Sequence, residues 1–256
     1  MRKWYILDDK IFYKKIIAIG IPVVIQNIIS IGLNLIDTLM VGLVGEEQLA
    51  AVGASNQIYF IFATACFGLY SGAAVYTAQY WGAKDIKGVK KLLGMDYLVG
   101  GTLAILVCIV AFSFSPQLIS FFSRDSAVIG YGVQYMRIAC FSYIFAGLSF
   151  AITYNSRSIQ KPIIPTVINA VALGLNTILN YALIYGHFGF SSQGVRGAAI
   201  ATLIARAFEL IVMLIFVYSH KDHPFNAKIK ELTAFSKVLF KKVMKTAIPV
   251  VFSEGG

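Results

Sequence analysis

Charge is what this sequence has least of. Only 13% of its 256 residues are Asp, Glu, Lys or Arg, against 58% apolar. With a mean hydropathy of +0.74, that balance excludes an ordinary soluble domain and points to a membrane protein. Histidine is nearly as scarce: His187, His220 and His223 are the three present, and all fall in loops or at the edges of apolar runs. No HExxH, no GxSxG and no pair of intramembrane carboxylates occurs, so hydrolysis has no machinery, no residue stands out as catalytic, and the chain is read as not an enzyme. The three cysteines, Cys66, Cys108 and Cys140, lie inside apolar runs at no metal-ligand spacing. Neither a disulfide framework nor a zinc site is indicated.

What is abundant is apolar sequence in spans. A bilayer core needs about 20 mostly apolar residues per helix, and six stretches qualify, at roughly 16–40, 51–79, 92–114, 128–153, 163–186 and 194–219. A seventh opens near Thr246. The first run is longer than a signal-peptide core and is followed by further spans, so it is read as a retained helix. The formal charge of +10 is distributed by loop. Eighteen Lys and Arg lie before span 1, between spans 2 and 3, between spans 4 and 5, and after span 6, whereas the alternate loops hold only Arg124 and Arg196. This positive-inside alternation puts the N-terminus in the cytoplasm of a multi-pass plasma-membrane protein. The basic residues meet anionic lipid headgroups, and no nucleic acid is expected as a partner.

The chain contains a repeat. KKIIAIGIPVV starts at Lys14 and KKVMKTAIPVV at Lys241. Six spans return the chain to the side where it began, so the second copy enters the membrane in the same direction as the first. That is the parallel-repeat plan of some secondary transporters, with the substrate path between the halves. Three segments follow: 1–219, a lobe of six transmembrane helices; 220–245, a polar cytoplasmic linker with an interfacial helix expected from Lys228 onward; and 246–256, the start of a second lobe. The fold class is therefore all-α integral membrane, and the chain is expected to be a fragment whose second lobe is missing. Gly68 and Gly72 in span 2 form a GxxxG, read as tight helix packing.

Some polar residues are out of place in lipid. Asn27, Ser30, Asn34 and Asp37 recur at spacings of three and four along span 1 and so share one helical face. A carboxylate near a bilayer core costs on the order of 3 kcal/mol, and by default it marks a cation or proton path. The bland alternative is an Asp37 at the outer interface or hydrogen-bonded for packing. Span 5 carries Asn169, Asn176 and Asn180. At about 1.5 Å per residue, Asp37, Asn176, Asn180 and Thr202 of span 6 reach a similar depth in the outer half. They form an oxygen-rich set suited to Na⁺ or another hard monovalent cation, or to a carboxyl that exchanges a proton. Asn27 and Asn34 are candidate cavity-lining residues. Arg206 and Glu209, three apart, are read as a structural ion pair. Asp96 and Arg137 are expected to snorkel near span ends. Pro22 permits a kink in span 1.

AIGIPVVIQN and LIDTLMVGLVGEEQLAAVG in and after span 1, GAAVYTAQYWGAKD at the end of span 2, and LNTILNYALIYGHFGFSSQGVRGAAIATLIAR across spans 5 and 6 resemble, in that order, the N-terminal half of the multidrug and toxin extrusion (MATE) family. The resemblance covers essentially the whole chain. It implies the N-lobe of a twelve-helix, two-lobe antiporter that exports cationic or amphipathic compounds in exchange for Na⁺ or H⁺, with no cofactor beyond that coupling ion. It also implies a cation site on Asp37, Asn176, Asn180 and Thr202, and it likens Glu254 to an acid of the second lobe in some members. Two departures stand: some members have a second acid where this chain has Asn180, and the family's glycine-rich pattern after span 4 appears here as RSIQKP. The alternatives are a lipid-linked oligosaccharide flippase of the related superfamily, an intramembrane enzyme, or a channel formed by oligomerisation.

Overall fold

The computed structural model describes residues 10–255, and for residues 10–16, 18, 19, 22, 23, 26, 27, 29, 30, 252, 254 and 255 the backbone alone. The described chain is helical, with α1 at Lys10–Gly42, α2 at Glu46–Gly82, α3 at Ile86–Ser113, the short α4 at Ser115–Ser120, and α5 at Ser126–Ser158. Then follow α6 at Ile163–Tyr185, α7 at Val195–Ser219, the single turn α8 at Ile229–Leu232, and α9 at Lys237–Gly255. No strand occurs among the described residues. Each predicted span coincides with a helix: α1, α2 and α5 run past it at both ends, α3 starts six residues earlier, and α6 and α7 match it to within a residue. Among the described residues five helices, α2, α3, α5, α6 and α7, are long and apolar enough to cross a membrane, and the Ile31–Gly42 part of α1 adds a shorter apolar stretch. The chain is a multi-pass membrane protein.

Helix limits follow local chemistry. The Asp85 carboxylate accepts from the Gly88 amide at 2.9 Å and opens α3, and Asp125 accepts from Ala127 at 2.8 Å and opens α5, each satisfying a free first-turn N–H. Pro116 sits in the first turn of α4, where its missing N–H costs nothing. Gly186 ends α6 in the left-handed region at φ 80°. A Cβ there would also lie 2.6 Å from the Ser192 amide nitrogen, so both conformation and space require glycine.

Burial is inverted relative to a soluble bundle. The large aliphatics Ile28, Ile31, Leu35 and Ile178 face outward, while buried positions are rich in Ala, Gly, Ser and Cys, the packing expected where helix association depends on close backbone approach. Helix α5 is central and packs against α2, α3, α4 and α7. Its small residues let the neighbours in: Gly147 accepts a 2.8 Å hydrogen bond from the buried Tyr70 hydroxyl of α2. That hydroxyl fits because Gly100 of α3 lacks a side chain, since a Cβ at Gly100 would stand 1.7 Å from it.

Asp96 departs from the snorkelling expectation. It is 1% exposed, and its Oδ2 accepts from Asn155 Nδ2 of α5 at 2.7 Å, while Asn155 Oδ1 accepts from the Thr77 hydroxyl of α2 at 2.7 Å. Position along α3 placed Asp96 near a span end; the Asn155 amide is what draws it inward. Arg137 is exposed, as expected. Segment 220–236 also differs. In place of a continuous interfacial helix from Lys228, it forms the one turn of α8 and then breaks, and α9 begins at Lys237, nine residues before Thr246, where Ser236 Oγ accepts from the Leu239 amide at 3.1 Å. The segment is docked on the bundle. Phe225 is fully buried, Lys90 pairs with Glu231 at 3.0 Å, and Gly94 allows the Leu232 carbonyl to approach to where a Cβ would be only 1.9 Å away. The GxxxG of α2 receives α9: Cβ atoms at Gly68 and Gly72 would fall 2.6 Å from Val251 Cα and 2.5 Å from Ala247 Cα.

Candidate functional site

Helices α1, α2, α5, α6 and α7 enclose a cavity of about 380 Å³. Asp37 reaches it from α1, and Asn176 and Asn180 stand one turn apart on the facing side of α6. Asn180 is fully buried, and its Nδ2 donates to Asp37 Oδ1. Turning the Asn176 amide so that its nitrogen faces the acid brings Nδ2 to 3.1 Å from Asp37 Oδ2 and Oδ1 to 3.1 Å from the Thr202 amide nitrogen. Thr202, on α7, lines the same cavity, and its hydroxyl donates to the Ala198 carbonyl at 3.0 Å. Of the four residues grouped by depth in the sequence, Asn176 and Asn180 face the Asp37 carboxylate, and Thr202 adjoins Asn176 in the same cavity. The i, i+4 spacing of the two asparagines lets both amides serve a single acid. Asn180 Oδ1 is buried without a hydrogen-bond partner among the described residues, an orphaned acceptor beside an acid.

Asn34 is exposed on α1 and lines the cavity one turn before Asp37. The side chains of Pro22, Asn27, Ser30 and Glu254 lie outside the described residues. Asn169 does not join the Asp37 cluster. Its Nδ2 donates to Glu209 Oε1 at 2.9 Å, and Glu209 Oε2 accepts from Arg206 at 2.8 Å. The expected Arg206–Glu209 pair is present, and both residues line the cavity. Glu209 is 1% exposed, so removing its partner would leave an uncompensated buried charge.

Sequence reasoning did not single out the aromatic wall. Tyr59, Tyr135 and Tyr143 line the cavity, with Tyr59 and Tyr143 rings 5.4 Å apart and Phe62 stacked on Tyr143 at 5.4 Å and 12°. In a chain with 14 tyrosines and 19 phenylalanines, no spacing separates these from lipid-facing rings. An acid, two amides, a hydroxyl and aromatic faces can together hold a small cation and, beside it, a larger apolar or cationic body.

A family model described as MatE matches residues 22–182. Curated relatives include a probable multidrug resistance protein NorM of Agrobacterium fabrum, 24% identical over 210 residues, 82% of this chain and 45% of the relative. The multidrug export protein MepA of Staphylococcus haemolyticus is 22% identical over 250 residues, 94% of this chain and 54% of the relative. This chain thus spans about half the length of the curated relatives it matches. Among solved structures, a MATE family transporter of the MOP superfamily in an outward-facing conformation superposes with a TM-score of 0.84 at 20% identity, covering 94% of this chain and 52% of that one. One in an inward-facing conformation gives 0.74 at 21% identity, covering 94% and 53%. These likenesses show a shared fold. The matched span runs from α1 into α6, through the residues that carry Asp37, Asn176 and Asn180, and the chain belongs to the MatE family.

Proposed function

We propose that this chain is half of a secondary active multidrug efflux transporter that exports cationic or amphipathic compounds in exchange for inward Na⁺ or H⁺. On this reading 1–219 is the first lobe, 220–245 the linker and 246–256 the opening of the second lobe, with the N-terminus on the cytoplasmic side of the plasma membrane. The observation that carries the reading is one carboxylate, Asp37, which lines an aromatic-walled cavity together with Asn176 and takes a hydrogen bond from the buried Asn180. Each amide can offer N–H or oxygen. The pair therefore supports an ionised Asp37 by donation, and the oxygens of Asp37, Asn180, Asn176 and Thr202 supply ligands for a hard cation. The unpartnered Asn180 Oδ1 suits the second role. Tyr59 and Tyr143 give a cationic substrate an aromatic face. The cavity's arginine is neutralised by Glu209, which disfavours a flippase for anionic lipid carriers.

The test is Asp37→Asn in the complete gene product. Ethidium efflux driven by an ion gradient should fall to background while membrane insertion is unchanged, and undiminished efflux would remove Asp37 from the mechanism. Wild-type efflux that follows a sodium gradient at fixed pH assigns Na⁺; efflux that follows only a pH gradient assigns H⁺.

A further inference from the structure

A second cavity, of about 430 Å³, opens where α5 and α7 end and α6 begins. Its floor is apolar and buried: Ile152 of α5, Ile168 of α6, and Met213 and Val217 of α7. Its rim is basic. Lys161 and Lys221 are exposed, His220 and His223 flank them, and Asp222 is the one acid on the rim. His223 is held below the usual histidine range, first by burial and then by Lys161 and His220 nearby. Lys161 also lies 5.9 Å from the Trp81 ring in the last turn of α2, and tryptophan is enriched at membrane–water interfaces. On the outer face of α6, Ile163 and Val167 are exposed apolar residues beside the pocket.

We propose that this pocket seats an anionic phospholipid, its phosphate held at the rim by Lys161 and Lys221 and one acyl chain on the Ile152, Ile168, Met213 and Val217 floor. The two halves of the argument are complementary. A soluble anion would use the rim and leave the floor bare; an uncharged lipid would fill the floor and leave the cations unpaired. Basic pockets between transmembrane helices are suited to phosphate headgroups because each cation close to the anionic leaflet adds attraction, and each buried methylene adds affinity on the apolar side. The site lies apart from Asp37 and does not depend on the transport reading.

The complete gene product, solubilised in mild detergent, is titrated with phosphatidylglycerol, with phosphatidylcholine of the same acyl chains, and with inorganic phosphate, and bound species are counted by native mass spectrometry. One phosphatidylglycerol should be retained in preference to phosphatidylcholine, and phosphate alone should not bind. The Lys161→Gln/Lys221→Gln variant should weaken phosphatidylglycerol retention about thirtyfold and leave phosphatidylcholine unchanged, and Lys161→Arg/Lys221→Arg should restore retention. Ile164→Trp, at the pocket wall, should weaken phosphatidylglycerol through its acyl chain alone. Equal retention by the wild type and the Gln variant would overturn the proposal, and so would tight binding of phosphate by itself. Failure of the wild type to prefer phosphatidylglycerol, as when further chain covers the pocket, would do the same.

Discussion

Replacing Asn155 with leucine tests whether the sealed polar cluster between α2, α3 and α5 holds the lobe together. Asn155 accepts from Thr77, donates to Asp96 and donates to the Ala151 carbonyl, at 2.7, 2.7 and 2.8 Å. Asp96 Oδ1 already has no partner among the described residues. In Asn155→Leu, a roughly isosteric change, Oδ2 loses its donor as well, and a buried carboxyl is left bare while the Thr77 hydroxyl must turn elsewhere. Hydrogen bonds to such groups contribute about 1.5–3 kcal/mol each, and the unsatisfied partner bears the full cost of desolvation, so a loss of about 3 kcal/mol is expected. For a chain of this size that corresponds to a fall in Tm of about 6–12 °C, read as loss of the monodisperse species on heating in detergent. The informative variant is the double, Asn155→Leu/Asp96→Leu. With both ends of the pair apolar, nothing buried is left wanting, and more than half of the loss should return. A single variant within about 2 °C of wild type, or a double no more stable than the single, would refute the argument.

Three further outcomes follow from other contacts. Asn180→Ala removes a donor to Asp37 and should raise the cation concentration that half-saturates efflux about tenfold or more; an unchanged value would show that the amide is spectator packing. Gly72→Val places a side chain where a Cβ would already lie 2.5 Å from Ala247 Cα, and it should destabilise the protein by about 1–3 kcal/mol through overpacking between α2 and α9, measured by the same melting experiment. Glu231 is held below the ordinary glutamate value of 4.5 by the Lys228 amide and then by Lys90. Its contribution to docking α8 on α3 is therefore present above that value and lost as pH falls through the lower folded-state one. Faster proteolysis of residues 228–236 should appear only below about pH 4.5 in the wild type and at neutral pH in Glu231→Gln.

Much of this architecture can be read from the sequence because a bilayer imposes length and hydropathy together. The limits of α6 and α7 lie within a residue of the stretches assigned by composition, and the glycine at position 186 announces the end of α6. What could not be read depends on partners distant in the chain. Asn169, Asn176 and Asn180 form one series along α6, yet the first turns to Glu209 and the other two to Asp37, because their neighbours come from different helices. The start of α9 at Lys237 has a local signal in the Ser236 cap. It was masked by the lysine-rich pattern on either side, which fits an interfacial helix equally well.

Asp37 and Asp96 show where reading a sequence ends and geometry begins. Each is an acid inside an apolar helix, and each takes a hydrogen bond from an asparagine on another helix. By intramembrane cost alone both are equal candidates for ion binding. Their surroundings separate them. Asp37 is partly exposed and opens on a cavity with room for a cation and a larger ligand beside it. Asp96 is sealed among α2, α3 and α5, and no cavity reaches it among those described. An ion that must be bound and released needs a path as well as a ligand, so under the proposed function Asp37, and not Asp96, is the residue to test for transport. Asp96, whose single asparagine comes from the central helix α5, is left to fix how α3 sits against that helix. The two substitutions should accordingly fail in different assays: Asp37→Asn in coupled efflux with the fold intact, and Asn155→Leu in thermal stability before any question of transport arises.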